Sequence, residues 1–120
     1  MAAKDELGRA GEDRAVRHLI DAGYDVVDRN WRCPAGEIDI VAVRGAALSI
    51  VEVKTRRTEA FGHPFEAVDD RKLARLWRLV HAWRAAHPDL ARGRSPRVEL
   101  IGIIGADPAT GSLEHLADVR

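Results

Sequence analysis

The amino-acid sequence predicts an α/β fold in which a mixed β-sheet is flanked by helices. Two stretches carry apolar residues at helical spacing, and between them lie three consecutive segments rich in residues that favour strands. A later apolar segment, residues 97–105, predicts a further strand that follows the second helix. With 120 residues the chain is long enough for one domain with one core, so we expect a single domain over residues 1–120.

The first helix is expected from about residue 4 to residue 22, because helix-forming residues fill this stretch and Gly23 provides a typical C-terminal stop. At 100° per residue, Glu12 falls inside the apolar arc that contains Ala15 and Leu19. An unpaired carboxylate buried there would be strongly destabilising or would have to take up a proton. The sequence therefore predicts a cationic partner for Glu12.

Three strands are predicted in succession, over residues 24–32, 37–44 and 48–56. If residues 45–46 form a two-residue turn, the second and third strands make a hairpin in which the numbers of opposed residues sum to 91. This register places Asp39 opposite Glu52 and Glu37 opposite Lys54. One face of the hairpin is then apolar near the turn and charged at the far end, which ordinary alternation of polar and apolar residues does not predict.

The second helix is expected from about residue 66 to residue 87, after a loop over residues 55–65. Its apolar stripe includes Trp77 and Trp83, which we expect in the core. The remaining segments are predicted to be a basic loop, a strand and an edge strand, over residues 88–96, 97–105 and 112–119. The predicted element order is therefore αβββαβ, with helices packed on a mixed sheet in two or three layers.

Charge is unevenly distributed along the chain, although the formal net charge is zero. Residues 71–97 hold eight basic residues and one acidic residue, Asp89. Such asymmetry allows one face of the protein to bind phosphate groups while another face binds cations. The simplest interpretation of Arg71, Arg75 and Arg78 is a solvated helix face. Phosphate binding by these arginines requires that their face lie beside the charged end of the hairpin.

Composition also indicates the compartment. Cys33 is the only cysteine, so one chain cannot form a disulfide framework or a cysteine-based zinc site, as is typical of the reducing cytosol. No stretch approaches the roughly 20 apolar residues of a membrane span, and the first residues carry charges where a signal peptide needs an apolar run. We therefore expect a cytoplasmic protein with no membrane partner.

The opposition of Asp39 and Glu52 points to a bound cation. Two like charges at about 4 Å repel by roughly 4 kcal/mol at an effective dielectric near 20, and such cross-strand pairs are unfavourable. A hard divalent cation removes this penalty, because it prefers carboxylate and carbonyl oxygens. Lys54 lies on the same face and can reach a water or a phosphate at that ion. These residues predict phosphodiester hydrolysis; the alternative is a structural ion-pair network in which Lys54 bridges the acidic side chains.

The motifs GEID, at residues 36–39, and VEVK, at residues 51–54, resemble the PD-(D/E)xK nuclease motif, with Ile38 in place of the usual proline. Together with GRAGEDRAVRHL, GYDVVDRNWR and FGHPFEAVDDRK, they resemble the bacterial YraN-type family of that superfamily, which is similar to archaeal Holliday-junction resolvases. The resemblance covers residues 7–72 closely. One departure is Glu99, where an aspartate would be expected.

The resemblance implies a restriction-endonuclease-like αβββαβ core and an Mg²⁺- or Mn²⁺-dependent endonuclease. Glu12 matches a first-helix glutamate that joins the metal site in the resolvases. The implied catalytic residues are Glu12, Asp39, Glu52 and Lys54. The implied metal ligands are Asp39, Glu52 and the Val53 carbonyl, with Glu12 completing or orienting the shell.

DNA, branched or otherwise structured, is the substrate that the resemblance implies. The residues expected to contact it are Arg56, Arg57, Lys72, Arg71 and Arg75, of which the first three adjoin the motif strand or begin the helix after it. A homodimer would suit paired cuts across a junction, but no residue identifies an interface. The alternative function is a noncatalytic nucleic-acid-binding or adaptor protein that retains the nuclease fold.

Overall fold

Five strands form one sheet, in the order β1-β2-β3-β4-β5, in the computed structural model, which describes residues 5–60 and 62–120. The helices are α1 (Glu6–Asp21), α2 (Asp70–Ala86) and the short α3 (Pro88–Ala91), and a 3₁₀ turn covers Pro64–Ala67. The strands are β1 (Asp25–Cys33), β2 (Gly36–Arg44), β3 (Ala47–Arg56), β4 (Ser95–Ile104) and β5 (Ser112–Leu116). None of the helices in these described ranges is long and apolar enough to cross a membrane.

The sheet is mixed, as predicted. Strands β1, β2 and β3 run antiparallel in sequence, whereas β4 pairs parallel to β3 after the α2 crossover, and β5 returns antiparallel at the edge. The αβββαβ order and the edge strand are therefore confirmed. The prediction of a continuous loop over residues 88–96 was wrong, because Pro88 starts the single turn α3, where proline at the first helical position leaves no hydrogen bond unmade.

Helices cover both faces of the sheet, so the fold has three layers. Buried residues of α1, including Ala15 and Leu19, pack against Ile40, Ala42 and Ile101 on one face. On the other face, α2 packs its apolar stripe against the sheet. Its Trp83 is fully buried and Trp77 packs against the same cluster, as predicted.

Close packing of α1 on β3 depends on Gly11. A methyl group at this position would overlap the hydroxyl group of Thr55, so glycine lets the helix approach the strand more closely than any other residue could. The next residue along the helix, Glu12, is thereby buried against the sheet with 3% of its surface exposed. The Asp5 carboxylate caps α1 by accepting a hydrogen bond from the Gly8 N–H at 2.7 Å.

Candidate active site

The hairpin of β2 and β3 opens into a fork, and the predicted carboxylates lie where it opens. Arg44 pairs with Ala47 across a two-residue turn, which confirms the predicted register. The β2–β3 ladder ends at the pair Ile40–Val51. Beyond it β2 stays paired with β1 and β3 with β4, so in the ladder each inner strand is paired only with its outer neighbour.

The Asp39 side chain takes the place of a ladder bond at the fork. Its Oδ2 accepts a hydrogen bond from the Val53 N–H at 2.9 Å. The N–H and C=O groups of one strand residue point to the same side, so the Val53 carbonyl also faces the gap between the two strands. A backbone acceptor and the carboxylates are therefore brought to one place.

Side-chain alternation along β2 changes at Asp39. Ile40 packs in the cluster under α1, whereas Ile38 packs in the cluster under α2, although strict alternation would put both on one face. The regular alternation of side chains that the predicted hairpin assumes therefore breaks between Ile38 and Ile40. On the neighbouring strand, Asn30 stands across from this point with a left-handed φ of 54°, which reverses the sides of the residues around it.

Glu52 and Asp39 are buried carboxylates in close proximity, with 7% and 9% of their surfaces exposed. Burial, the charge of Asp39 and hydrogen bonding between the two carboxyl groups raise the pKa of Glu52, and Lys72 offsets this only in part. The predicted like-charge pair thus exists at the fork, although the two residues are not paired in the ladder.

Basic side chains from three different elements lie beside Glu52 and Glu12. Lys72, in the first turn of α2, brings its Nζ to 2.8 Å from Oε2 of Glu52, whereas the Nζ of Lys54 stands at 3.9 Å from the same oxygen. Among the described residues, Oε2 is charge-paired with these lysines but has no hydrogen-bond partner of normal geometry. Glu12 has its predicted cationic partner in Arg29, at 3.8 Å.

Glu37 forms an ion pair with Arg32 at 3.0 Å, not with Lys54 as the register suggested. The reason is the fork itself: once β2 and β3 separate, residues that would have been opposed in the ladder no longer face each other. Arg32 lies on β1, which remains paired with β2 there and directly opposes Glu37.

A cavity of about 470 Å³ collects these groups between α1, the fork and α2. Its charged lining residues, five acidic and four basic, are Asp5, Glu12, Glu37, Asp39, Glu52, Lys54, Arg56, Lys72 and Arg75. All four predicted catalytic residues and the Val53 backbone thus meet in one cavity. In the part of the chain that the structure describes, no three His, Cys, Asp or Glu side chains are grouped tightly enough to form a ready-made metal site. The ligand roles of Asp39, Glu52 and Glu12 stay predictions.

The residues predicted to bind nucleic acid are divided among three places. Arg56, Lys72 and Arg75 line the acidic cavity, and Lys72 and Arg75 also line a second cavity, together with Arg71. Arg57 is exposed directly after β3. The arginine face of α2 therefore does lie beside the charged end of the hairpin, which was the condition for phosphate binding.

A second buried polar network, which the sequence did not reveal, lies around Glu99 on β4. One carboxylate oxygen accepts hydrogen bonds from the Tyr24 hydroxyl at 2.9 Å and from Nε2 of His115 at 2.6 Å, and the other bonds to the Ser49 hydroxyl. Burial raises the pKa of Glu99, but these three hydrogen bonds outweigh it and lower the pKa overall. His18 extends the network, with its Nε2 3.0 Å from Nδ1 of His115. The residues come from α1, three strands and the loop before β1. No single sequence motif contains them, so the network could not be predicted from local sequence.

Comparison with known sequences identifies one family, both from a family model and from individual relatives. The model described as "Uncharacterised protein family UPF0102" matches residues 11–103. A UPF0102 protein from Paenarthrobacter aurescens is 50% identical over 119 residues, covering 99% of this chain and 97% of the relative. Another from Streptomyces griseus is 46% identical over 119 residues, covering 99% of both chains.

Two solved structures show a more distant similarity. A repair endonuclease from Pyrococcus abyssi has a TM-score of 0.48 and 15% identity, over 90% of this chain and 42% of that one. The structure of an EndoMS–dsDNA2 complex has a TM-score of 0.42 and 16% identity, over 87% of this chain and 39% of that one. The chain spans less than half the length of either protein.

Proposed function

This chain belongs to the uncharacterised family UPF0102, as its motifs indicated, and we propose that it is a divalent-metal-dependent nuclease that hydrolyses phosphodiester bonds of DNA. The observation that carries the proposal is the fork between β2 and β3. It holds two buried carboxylates and a backbone carbonyl beside two lysines, within a cavity large enough to admit a phosphodiester.

The donor set at the fork fits Mg²⁺ or Mn²⁺. Asp39, Glu52 and the Val53 carbonyl are hard oxygen donors, and Oε2 of Glu52 is buried without accepting a hydrogen bond from a described residue. These three groups would hold the ion, with Glu12 completing or orienting the shell from α1. When bound, such an ion offsets the charge of the carboxylates and the phosphodiester and makes a water molecule more acidic.

The lysines and arginines have separate roles in this proposal. Lys54 is half-buried and extends from β3 into the cavity, where its ammonium group positions or activates the attacking water. Lys72 holds the Glu52 carboxylate in place from α2. Arg56 and Arg75 line the same cavity and would bind the phosphate backbone.

A noncatalytic DNA-binding or adaptor role is the second candidate, and one contact favours it. The ion pair between Lys72 and Glu52 already compensates the carboxylate with a cation from the chain itself. In such a protein the cavity would be a structural centre, and DNA binding would require neither a divalent ion nor the Asp39 carboxylate. Branched DNA is the substrate to test first in either case, because the resemblance to junction resolvases implies it.

A cleavage assay separates the two candidates. Wild type, Asp39→Asn, Glu52→Gln and Glu37→Gln are incubated with labelled duplex, single-stranded, flapped and four-way-junction DNA in Mg²⁺, Mn²⁺ and EDTA. Glu37→Gln is the matched control, because Glu37 lines the same cavity but pairs with Arg32. We expect cleavage by wild type and the control, lost in EDTA and in the other two variants. Equal DNA binding by all four proteins in EDTA, with no cleavage in either metal, would instead support the adaptor.

A further inference from the structure

A second cavity, of about 460 Å³, adjoins the acidic one and has the opposite charge. It shares Lys72 and Arg75 with the acidic cavity. Its lining residues are Ala67, Asp69, Arg71, Lys72, Arg75 and Arg78. The one carboxylate among them, Asp69, is engaged as the cap of α2, where it accepts the Lys72 N–H at 2.8 Å. We call this surface the basic cavity.

Among the described residues, the arginines of the basic cavity form no ion pair with an acidic side chain. Arg71, Arg75 and Arg78 are exposed, and within residues 5–60 and 62–120 none of them forms an ion pair or a hydrogen bond. Two other arginines, by comparison, are held by the protein: Arg14 donates to the Pro108 carbonyl at 2.8 Å, and Arg32 pairs with Glu37 at 3.0 Å. What distinguishes the basic cavity is that three such arginines line one cavity.

The spacing of these arginines costs stability in the free protein. Arg75 lies four positions after Arg71 on α2, and Arg78 lies three positions after Arg75, so the three side chains project from one face. Like charges at these spacings repel each other and destabilise a helix. A polyanion would remove the repulsion, and guanidinium groups bind phosphate oxygens in a fork geometry that suits them to phosphodiesters.

We propose that the basic cavity binds the phosphate groups that flank the phosphodiester held in the acidic cavity. The inference rests on the proposed function, because it requires a nucleic-acid strand to enter the acidic cavity. The substrate class is then a polynucleotide strand engaged at several consecutive phosphates, and a small isolated phosphodiester lacks the groups that the basic cavity recognises. Lys72 and Arg75 line both cavities. They therefore lie at the boundary between the phosphate site of the acidic cavity and that of the basic cavity.

The test compares a polynucleotide with a small diester. Arg71→Gln/Arg78→Gln is assayed on a labelled oligonucleotide and on bis(4-nitrophenyl) phosphate, beside Arg92→Gln, an exposed arginine on the loop after α3. We expect the ratio of kcat/KM for the oligonucleotide to kcat/KM for the small diester to fall at least tenfold in the double variant and not in the control. The slope of log Kd against log salt should become shallower by about 0.7 to 0.9 per arginine removed.

The outcomes distinguish this inference from the proposed function. If wild type cleaves both substrates and the double variant matches Arg92→Gln, the basic cavity is a solvated surface and the inference is wrong, while the nuclease survives. Equal losses on both substrates would also overturn the inference. If nothing is cleaved but the double variant loses salt-dependent oligonucleotide binding, the basic cavity is supported and hydrolysis is not. Absence of both cleavage and binding overturns both.

Discussion

Lys72, in the first turn of α2, lies 2.8 Å from the carboxylate of Glu52 on the central strand β3. This contact ties the helix on one face of the sheet to the fork between β2 and β3. Both side chains are largely buried, with 23% and 7% of their side-chain surfaces exposed. Breaking such a pair on one side leaves a charge without compensation, which is more destabilising than removing both partners.

Lys72→Met should therefore lower the free energy of unfolding by about 2 kcal/mol. This loss is smaller than that for a fully buried pair because Lys72 keeps some contact with solvent. The loss should be largely recovered in Lys72→Met/Glu52→Gln, since the remaining side chains are neutral. Urea unfolding of wild type, both single variants and the double variant measures the coupling. If the losses in free energy of unfolding of the two single variants are additive in the double variant, the two side chains do not stabilise each other.

Asp39→Asn should preserve or increase stability in the absence of divalent ions. The amide oxygen can still accept the Val53 N–H bond, and the amide N–H₂ replaces a repelling charge next to Glu52. The expected gain in free energy of unfolding is about 1 kcal/mol, well below the unscreened repulsion, because Lys72 and solvent already offset part of it.

The same variant should lose the response to metal. Adding Mg²⁺ or Mn²⁺ should raise the melting temperature of wild type and leave that of Asp39→Asn unchanged, since an ion stabilises only the state that binds it. Thermal unfolding in EDTA and in excess metal provides the comparison, with Glu37→Gln as the control. Unfolding of Asp39→Asn in EDTA, or an equal metal response in both proteins, would contradict the assignment of Asp39.

Gly11→Ala should destabilise the protein by about 1 to 3 kcal/mol, the usual range for overpacking, although the same change in an exposed helix is stabilising. The added methyl group overlaps the Thr55 hydroxyl and must push α1 away from β3. Chemical denaturation of Gly11→Ala, Thr55→Ala and the double variant tests this. The double variant should regain part of the lost stability, because the overlapping atoms are removed; no recovery would place the defect elsewhere.

The free energy of unfolding should decrease as pH drops below about 6.5, and His18 should account for part of this pH dependence. Burial, the neighbouring His115 and Arg14 lower the pKa of His18, with Asp21 opposing them, so the unfolded chain takes up a proton at a higher pH than the folded one. The contribution of neutral His18 is present above its unfolded pKa and is lost as pH falls toward its folded value. His18→Gln should flatten the dependence between pH 7.5 and 5.5 in urea unfolding. If the pH dependence of the free energy of unfolding is unchanged in His18→Gln, other titratable groups cause it.

Much of the site followed from local sequence rules. The two-residue turn at Gly45 and Ala46 fixes the register of the hairpin, so the approach of Asp39 to Glu52 could be predicted from the numbering of two strands. Glu12 could be placed because helical periodicity put a carboxylate on an apolar arc. These rules act within one element or between neighbours joined by a short turn, where spacing determines position.

Other features depend on how distant elements meet, and local rules do not reach them. The Lys72–Glu52 contact arises only when α2 crosses the sheet, so Lys72 was expected to bind substrate without any link to Glu52. Asn30 is unremarkable in a strand pattern, yet its left-handed backbone accompanies the change of face at Asp39. The network around Glu99 joins side chains from five elements or loops, and each is ordinary in its own segment.

The end of the ladder at Ile40 and Val51 divides the hairpin into two parts with different sensitivity to change. On the turn side, from Ile40–Val51 to Arg44–Ala47, the two strands are paired directly with each other. On the open side, the backbone of each strand is paired only with its outer neighbour, and the bond from the Val53 N–H to Asp39 links the two strands. The Ile40–Val51 pair is therefore the last shared rung before the acids, and we expect a change in its bulk to alter the separation of Asp39 and Glu52 without replacing either acid.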